Sequence, residues 1–392
     1  MKSFSRITSM LPKLLLVALF LVLAPAALAS TTWYVDGVNG NDNNNCLSPQ
    51  TACKTIGHAI SLASKGDTIM VAPATYTENL TIRKNLKIIG SDAATTIVDG
   101  GGVGTVFSVC GIISCTITPN KTHAALSKLT IRDGSGPFGA GGGVSNSGIL
   151  TVTYSTISGN SAGNGGGIFN NFGATLTITN STISGNSATG TGGGGGIINH
   201  EGGTLTITKS TISGNRSSYG GGGVKNFRGT LTITNSTISG NSAKYAGGIQ
   251  NYALLKISNS TISGNIAMRG GGIVSRESSV LQNTILANNS GRNCVGTVTS
   301  NGYNLSSDKS CNFNGPGDMN QTDAKLGKLG NYGGPTQTRP LLLGSPAIDA
   351  GNPNGCTDGN GNLLKTDQRG KPRPDPGDAS GCDIGAYERQ KN

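Results

Sequence analysis

Acidic residues are nearly absent from the middle of this chain. Between Ser127 and Ser290 the acids are Asp133, Glu201 and Glu277. Glycoside hydrolysis generally needs two carboxylates that face one sugar, and calcium-dependent elimination needs a carboxylate cluster that holds the ion. Because the three acids stand far apart in the sequence, this segment argues against a paired-carboxylate hydrolase and against a calcium-dependent lyase.

Long apolar runs are lacking beyond the N-terminus. Residues 1–29 open with three basic residues and continue with an apolar run from Leu14 to Leu23 and the small-residue motif Ala27-Leu28-Ala29. This pattern predicts a secretory signal peptide. The alternative, a membrane anchor, needs about 20 apolar residues, roughly twice the run that is present. No later segment could span a bilayer as a helix, so we expect a secreted or cell-surface protein without a transmembrane helix after signal cleavage.

Metal-binding cysteine spacing is also missing. None of the eight cysteines forms a Cys-x-x-Cys motif, and only three histidines could assist them, so we expect no zinc site. An even number of cysteines in an exported chain predicts disulfides. Eight cysteines allow on the order of a hundred pairings, among which sequence proximity favours neighbours. The favoured pairs are Cys46 with Cys53, Cys110 with Cys115, Cys294 with Cys311, and Cys356 with Cys382.

One phrase is present twice. The sequence TLTITNSTISGNSA occupies residues 175–188 and returns unaltered at residues 230–243. Its second isoleucine belongs to a series with a spacing of 23 to 29 residues, and two more series run in step with it. The first series is Ile131, Ile157, Ile183, Ile212, Ile238, Ile262 and Ile285. The second, aliphatic residues after glycines, is Val144, Ile168, Ile197, Val224, Ile249 and Ile273. The third is Leu150, Leu176, Leu205, Leu231 and Leu255.

Each repeat therefore holds three short segments. In residues 175–179 apolar residues alternate with threonines, which is the period of a strand with one buried face. Three such strands cannot bury their apolar faces alone, so successive repeats must stack, each advancing by one strand spacing of about 4.8 Å. The pattern predicts a parallel β-helix with three faces, in which the repeat places the same side chain above itself.

Glycine tracts and asparagines follow the same register. Gly165-Gly166-Gly167 and its equivalents stand just before an inward aliphatic residue, which favours structured corners over a flexible linker. Two asparagine series are predicted to form ladders of stacked amides rather than catalytic groups. The inward series is Asn146, Asn170, Asn199, Asn226 and Asn251, and the corner series is Asn160, Asn186, Asn215, Asn241 and Asn265.

A β-helix needs caps on its open ends. In residues 55–63, Ile56, Ala59, Ile60 and Ala63 would share one helical face, which predicts a short N-terminal capping helix. We therefore divide the chain into a signal peptide (1–29), an N-terminal cap (30–66), a parallel β-helix (67–290), and a C-terminal cap and anchor-like region (291–392).

Several motifs resemble known families. Tyr34-Val-Asp-Gly, Lys54-Thr-Ile and Gly66-Asp-Thr-Ile look like the start of right-handed parallel β-helix proteins of the pectate-lyase-like superfamily. The Gly-Gly-Gly-Ile and Ile-Ser-Gly-Asn-Ser-Ala phrases are similar to the repeats of polymorphic outer-membrane proteins. Residues 344–351, 367–374 and 382–388 resemble a choice-of-anchor C-terminal region. The resemblance implies an all-β, right-handed fold. It implies no single activity, because that superfamily includes lyases, hydrolases and adhesins.

A candidate binding surface follows the glycine corners. Outward positions there should stack into a stripe of aromatic and basic groups, suited to an acidic polysaccharide because rings stack on sugars and cations pair with carboxylates. The alternative is an ordinary solvated face. The candidate glycan-binding residues are Phe169, His200, Lys225, Phe227, Arg228, Tyr252 and Arg276.

Catalysis is the rival hypothesis for this stripe. A basic residue beside a tyrosine or histidine can abstract the proton alpha to a uronate without a metal. The candidates for a metal-independent polysaccharide lyase are Lys225, His200, Tyr252 and Arg228.

One loop has calcium-like spacing. Asp358, Asn360 and Asn362 offer oxygens at alternate positions, but Arg369 stands where an EF-hand has its glutamate, so an ordinary polar turn is the alternative. We expect no other cofactor.

The overall hypothesis is an exported or cell-surface structural and binding module. After signal removal 27 basic residues face 19 acidic ones, a net charge of +8, which favours anionic partners. The expected partners are polysaccharides or cell-envelope glycans and not nucleic acid, and we expect a monomer.

Overall fold

The computed structural model describes residues 30–110, 121–136, 141–376 and 381–390. The predicted signal peptide and Cys115 lie outside these ranges. Within them, no helix has the length and apolar character needed to cross a membrane.

The chain winds as an all-β parallel solenoid, as the repeats predict. Each coil passes in turn through face A, face B, a short corner sheet and face C, and every strand pair in these sheets is parallel. Face A contains Thr32–Val35, Thr68–Val71, Leu86–Gly90, His123–Ser127, Ile149–Thr153, Thr175–Thr179, Thr204–Thr208, Thr230–Thr234, Leu254–Ser258, Ser279–Gln282 and Thr299–Ser300. Face B contains Ala74–Thr77, Thr96–Asp99, Thr130–Arg132, Thr156–Ser158, Thr182–Ser184, Thr211–Ser213, Thr237–Ser239, Thr261–Ser263, Ile285–Ala287 and Leu305–Ser306.

Face C and the corner sheet complete each coil. Face C contains Leu80–Ile82, Phe107–Val109, Val144–Asn146, Ile168–Asn170, Ile197–Asn199, Val224–Asn226, Ile249–Asn251, Ile273–Ser275 and Cys294–Val295. The corner sheet contains Ser135–Gly136, Ser161–Asn164, Ser187–Gly193, Arg216–Ser217, Ser242–Ala243 and Ile266–Ala267. The three long faces match the three segments of the repeat, whereas the corner sheet was not anticipated. The strands of the long faces extend from Thr32 to Ser306. This range is longer than the range 67–290 that the sequence predicts for the β-helix.

The repeated isoleucines stack in one column on face B. Ile157, Ile183, Ile212, Ile238 and Ile262 are register partners along the sheet, and all five are fully buried. Their stacking confirms the central prediction from the repeat. The column ends differently from the prediction, because Leu286 follows Ile262 and Ile285 pairs with Thr261. Ile285 therefore faces outward, where it is buried in a second apolar cluster with Leu341 and Ile384 from the C-terminal segment.

Both asparagine series form ladders. On face C each amide donates to the next amide oxygen at 2.7 to 2.9 Å, from Asn146 to Asn251. At the corner the ladder runs from Asn160 through Asn265 at 2.9 Å and continues to Asn289. All the members before Asn289 are buried, so the ladders satisfy polar groups that would otherwise be costly inside the solenoid.

The glycine tracts are structured, but only partly for the expected reason. Gly165, Gly194 and Gly221 have φ of 62°, 75° and 66°, the left-handed region that glycine adopts without a Cβ penalty. The next glycine serves close packing instead: a Cβ on Gly166 would lie 2.4 Å from the Ser187 carbonyl oxygen.

Coils differ in length at two corners. From Thr130 to Ile266, two residues separate each face A strand from face B, and two more separate face B from the corner sheet. The connection into face C varies, because six residues separate Ser161 from Ile168 and nine separate Ser187 from Ile197. The turn from face C to face A also varies, between two and four residues. Face C is therefore flanked by the two corners that change length.

The predicted capping helix is present at Ile56–Leu62, and a 3₁₀ turn at Pro49–Thr51 precedes it. Ile56, Ala59 and Ile60 are buried in the core. Glu78 accepts hydrogen bonds from the Ile56 and Gly57 backbone N–H groups at 2.9 and 2.8 Å, which neutralises the start of the helix.

Three of the predicted disulfides are confirmed. They join Cys46 to Cys53, Cys294 to Cys311, and Cys356 to Cys382. Cys311 and Phe313 lie in the main apolar core, so the chain just after the last coil covers the end of the solenoid.

The C-terminal segment, residues 321–376 and 381–390, then folds back along face B. The Thr237 hydroxyl donates to the Gln368 side chain at 2.6 Å, and the Arg373 guanidinium donates to the Asn235 side chain at 2.9 Å. Because of this cover the face B threonine Thr237 is fully buried, whereas its equivalent Thr156, in an earlier coil, is only half-buried.

Two buried ion pairs hold the C-terminal segment together. Arg373 contacts Glu388 at 2.8 Å, and Arg369 contacts Asp367 at 2.7 Å. The Arg369 guanidinium also lies 3.6 Å from the centre of the Tyr387 ring. The motifs at residues 367–374 and 382–388 therefore interlock, which gives these anchor-like sequences a physical role in docking on face B.

We expect the C-terminal segment to dock more tightly in mild acid. Burial raises the pKa of Glu388 to about 7 and that of Asp383 to about 6, against the opposing effect of Arg373. Since both pKa values exceed those of the unfolded chain, this contribution to stability is complete below about pH 4 and is lost as the pH rises through about 6 to 7. Urea midpoints should therefore fall between about pH 5 and pH 8, and the free energy of unfolding obtained from them should decrease by on the order of 2 kcal/mol.

The matched variant for this pH effect is Glu388→Gln, which should flatten the profile. Aspartates with lowered pKa values, such as Asp36 and Asp67, are already ionised throughout that range, so they add no slope. A wild-type midpoint that stays level or rises with pH would contradict the expectation.

Candidate functional site

A groove of about 450 Å³ runs along face C near the C-terminal end of the solenoid. Its floor is the outward column Gln250, Val274 and Val295, whose members are register partners on adjacent strands. The residues that line it are Tyr219, Tyr245, Gln250, Tyr252, Arg269, Val274, Ser275, Arg276, Val295 and Gly296.

The two variable corners supply the walls. Before face C, Tyr219 and Tyr245 occupy equivalent positions, joined by a backbone hydrogen bond of 3.0 Å, and their rings meet edge to face at 5.1 Å. After face C, Tyr252 and Arg276 each donate a backbone N–H to the asparagine of the preceding coil. A concave site between aromatic walls, with polar groups held at fixed positions, is typical of ligand-binding surfaces.

A row of rings continues upstream from the groove. Phe169, His200, Phe227 and Tyr252 contact one another in order, with centroid distances of 5.7, 5.4 and 6.1 Å. Burial lowers the pKa of His200, with Lys225 acting in the same direction and Glu201 opposing it. His200 is therefore a neutral ring of this row at neutral pH.

Lys225 lies beneath the rings that close the upstream end of the groove. Its ammonium is 5.6 to 5.7 Å from the ring centres of Tyr219, Phe227 and Tyr252, and the residue is 7% exposed. Burial lowers the pKa of Lys225. In the part of the chain that the structure describes, no carboxylate forms an ion pair with it.

The predicted stripe of outward residues is shorter than expected. Phe169, Ile198 and Lys225 point away from the core column, but neighbouring side chains cover them, and Phe169 is only 5% exposed. Phe169 thus supports the His200 ring and has little surface for a ligand. Tyr252 and Arg276 are the two candidate residues that line the groove itself.

Arg228 lies outside the groove. It is exposed, pairs with Glu201 at 3.6 Å and covers the Phe227 ring at 5.5 Å. Arg276 covers the Tyr252 ring at 5.3 Å. Neither Arg269 nor Arg276 forms an ion pair with a residue in the described ranges, so the groove keeps uncompensated positive charge.

Tyr219, Tyr245 and Arg269 were missed by the sequence reasoning. They stand before the glycine tracts, in the connection from the corner sheet, where the repeat varies in length. Tyr219-Gly and Tyr245-Ala-Gly show a weak signal, an aromatic residue just before two successive tracts. Their contribution to the groove became visible only with the corner geometry.

The calcium-like loop forms a polar turn. The Asp358 carboxylate accepts backbone N–H bonds from Asn360 and Asn362 at 2.8 and 3.0 Å, and the Asn362 amide at 3.0 Å. Partial burial acts to raise the pKa of Asp358, but these bonds together lower it.

The parallel sheets define an all-β parallel β-helix. The chain is similar to the crystal structure of pectate lyase Pel9A, with 14% identity and a TM-score of 0.55, covering 92% of this chain and 97% of that one. Weaker similarities are to XylC in complex with xylose (9% identity, TM-score 0.42, 92% and 99% covered) and to ORF18 of Geobacillus virus E2 (15%, 0.37, 71% and 60%). No protein-family model and no curated protein sequence matches the chain.

Proposed function

We propose that this protein is an exported, non-catalytic binding module that holds an acidic polysaccharide in the face C groove. The observation that carries the proposal is the combination of ring-lined walls with Arg269 and Arg276, which have no ion-pair partner in the described part of the chain. Aromatic rings present apolar faces to sugars, and guanidinium groups bind carboxylates in bidentate geometry. The fold similarity to a pectate lyase also supports a polysaccharide ligand.

The arginines provide the direct test. We expect Arg269→Gln with Arg276→Gln to weaken retention on polygalacturonate, alginate or hyaluronan at least about tenfold in affinity electrophoresis, because each lost charge-assisted bond is worth about 1.5–3 kcal/mol. The control variant, Lys65→Gln with Arg83→Gln, removes the same charge from exposed positions near the N-terminal cap.

The control should bind like the wild type at moderate salt. Equal losses in both variants would show that net charge, and not the groove, attracts the glycan. A wild-type protein that is not retained by any of the three polymers would refute the proposal.

A second candidate function is a metal-independent polysaccharide lyase. The observation that favours it is the lowered pKa of Lys225 next to Tyr252, since a less basic amine is more often neutral and able to take a proton. Incubation with pectin, alginate and glycosaminoglycans should then produce unsaturated uronates, detected by absorbance, and Lys225→Met should abolish them. If none of these polymers yields an unsaturated product, the lyase hypothesis is rejected and the binding module remains.

A further inference from the structure

We infer that Gln250 is a specificity-determining residue of the groove, selecting ligands that carry a hydroxyl beside their negative charge. The inference rests on the proposed function, since it concerns the same groove. It goes further because the arginines alone would accept any polyanion.

Gln250 carries an unsatisfied acceptor just beneath the groove floor. The residue is 4% exposed, and its amide nitrogen donates to the Tyr252 hydroxyl oxygen at 3.0 Å. Its Oε1 is buried and has no hydrogen-bond partner within the described residues. A buried acceptor left unpaired is unfavourable, so a ligand donor that reaches Oε1 recovers this energy.

Gly220 holds the amide in place. A Cβ built on Gly220 would lie 2.4 Å from Oε1 and 2.8 Å from Nε2 of Gln250, so the amide packs directly against the glycine. Gly220 has no left-handed backbone conformation, and alanine is therefore tolerated there by the backbone. Alanine at this position would move the amide without removing any hydrogen-bonding group.

The neighbouring groups define the ligand chemistry. The Tyr252 oxygen is already the acceptor for Gln250, so the phenol hydrogen can be donated to a ligand oxygen. Arg276, over the Tyr252 ring, supplies positive charge. One acceptor, one donor and one cation side by side match a sugar ring with a hydroxyl next to a carboxylate. A polyanion without hydroxyls would pair with the arginines but leave Oε1 unsatisfied.

The experiment compares polygalacturonate, which has hydroxyls and carboxylates, with poly-L-glutamate, which has carboxylates only. Titrations at one salt concentration should show the wild type binding polygalacturonate about tenfold or more tightly, since sites built to bond a hydroxyl reject analogues that lack it. Gln250→Met should lower affinity for polygalacturonate by about that factor and leave poly-L-glutamate binding unchanged. Gly220→Ala should have the same effect through displacement of the amide.

The control is Gln282→Met on face A, away from the groove, which should keep the preference. Urea midpoints equal to that of the wild type would confirm that both groove variants fold. If Gln250→Met does not fold, Gly220→Ala still provides the test. Equal wild-type affinity for the two polymers, or parallel losses for both in Gln250→Met, would overturn the inference while leaving the proposed function. Wild-type protein that binds neither polymer would overturn both.

Discussion

Replacing Asn215 with alanine should destabilise the solenoid by on the order of 4 kcal/mol, a large part of the stability of an ordinary domain. Asn215 is fully buried in the middle of the corner ladder. Its Oδ1 accepts both the backbone N–H and the side-chain amide of Asn186, at 3.0 and 2.9 Å, and its amide donates to the Ile183 carbonyl at 2.9 Å. The alanine variant removes these three bonds and leaves the Asn186 backbone N–H buried without its acceptor, while the Asn186 amide keeps its bond to the Ile157 carbonyl at 2.9 Å.

The measurement is urea unfolding followed by circular dichroism, with the disulfides intact. Thr206→Ala is the matched control, because Thr206 points outward from face A in the same coil, and a surface change of this kind stays within about 0.5 kcal/mol. If Asn215→Ala unfolded within about 1 kcal/mol of the wild type, the ladder would not be the source of stability that its geometry indicates.

Replacing Arg373 with methionine should release the C-terminal segment from face B while the coils stay folded. Arg373 is 3% exposed and contacts Glu388 at 2.8 Å, Asn235 at 2.9 Å and the Gly385 carbonyl at 2.9 Å. Removing one partner of a buried ion pair costs about 3–5 kcal/mol, because the Glu388 carboxyl must then stay buried without Arg373 or take up a proton.

Hydrogen exchange gives a local measurement of this release. The amides of Gln368 and Ala386, which bond to Ala386 and Thr261 respectively, should lose protection, whereas amides of the core strands keep it. Lys371→Met changes an exposed cation of the same segment and should have no effect. Adding Glu388→Gln to Arg373→Met should restore part of the protection, and unchanged protection in the single variant would show that the ion pair does not hold the segment.

The fold was largely predictable because the repeat carries it. A side chain that recurs in every coil must stack on its equivalents. The repeat of Ile183 therefore predicts the core column on face B, and the repeat of Asn186 predicts the corner ladder. The repeat could not predict the exception at Ile285, where the register follows Asn283 and the isoleucine takes the outward threonine position. That position needs an apolar residue because the C-terminal segment covers it, and such long-range contacts leave no periodic signal.

The site was less predictable for a related reason. Tyr252 and Arg276 directly follow the register partners Asn251 and Ser275 and could be placed from the repeat. Tyr219 and Arg269 come from the connection of variable length, where sequence position does not fix direction. The sequence also could not show that Lys225 and Phe169 are buried. Both residues alternate correctly for an outward face, and only the packing of neighbouring rings shows that they are covered.

The two corners that vary in coil length also border the groove. Insertions or substitutions there leave Ile212, Asn215 and the other stacked columns untouched, because the remaining corners keep a constant length. Loops at these two corners can therefore be exchanged one at a time on an unchanged scaffold, much as antibody loops are exchanged on a constant framework.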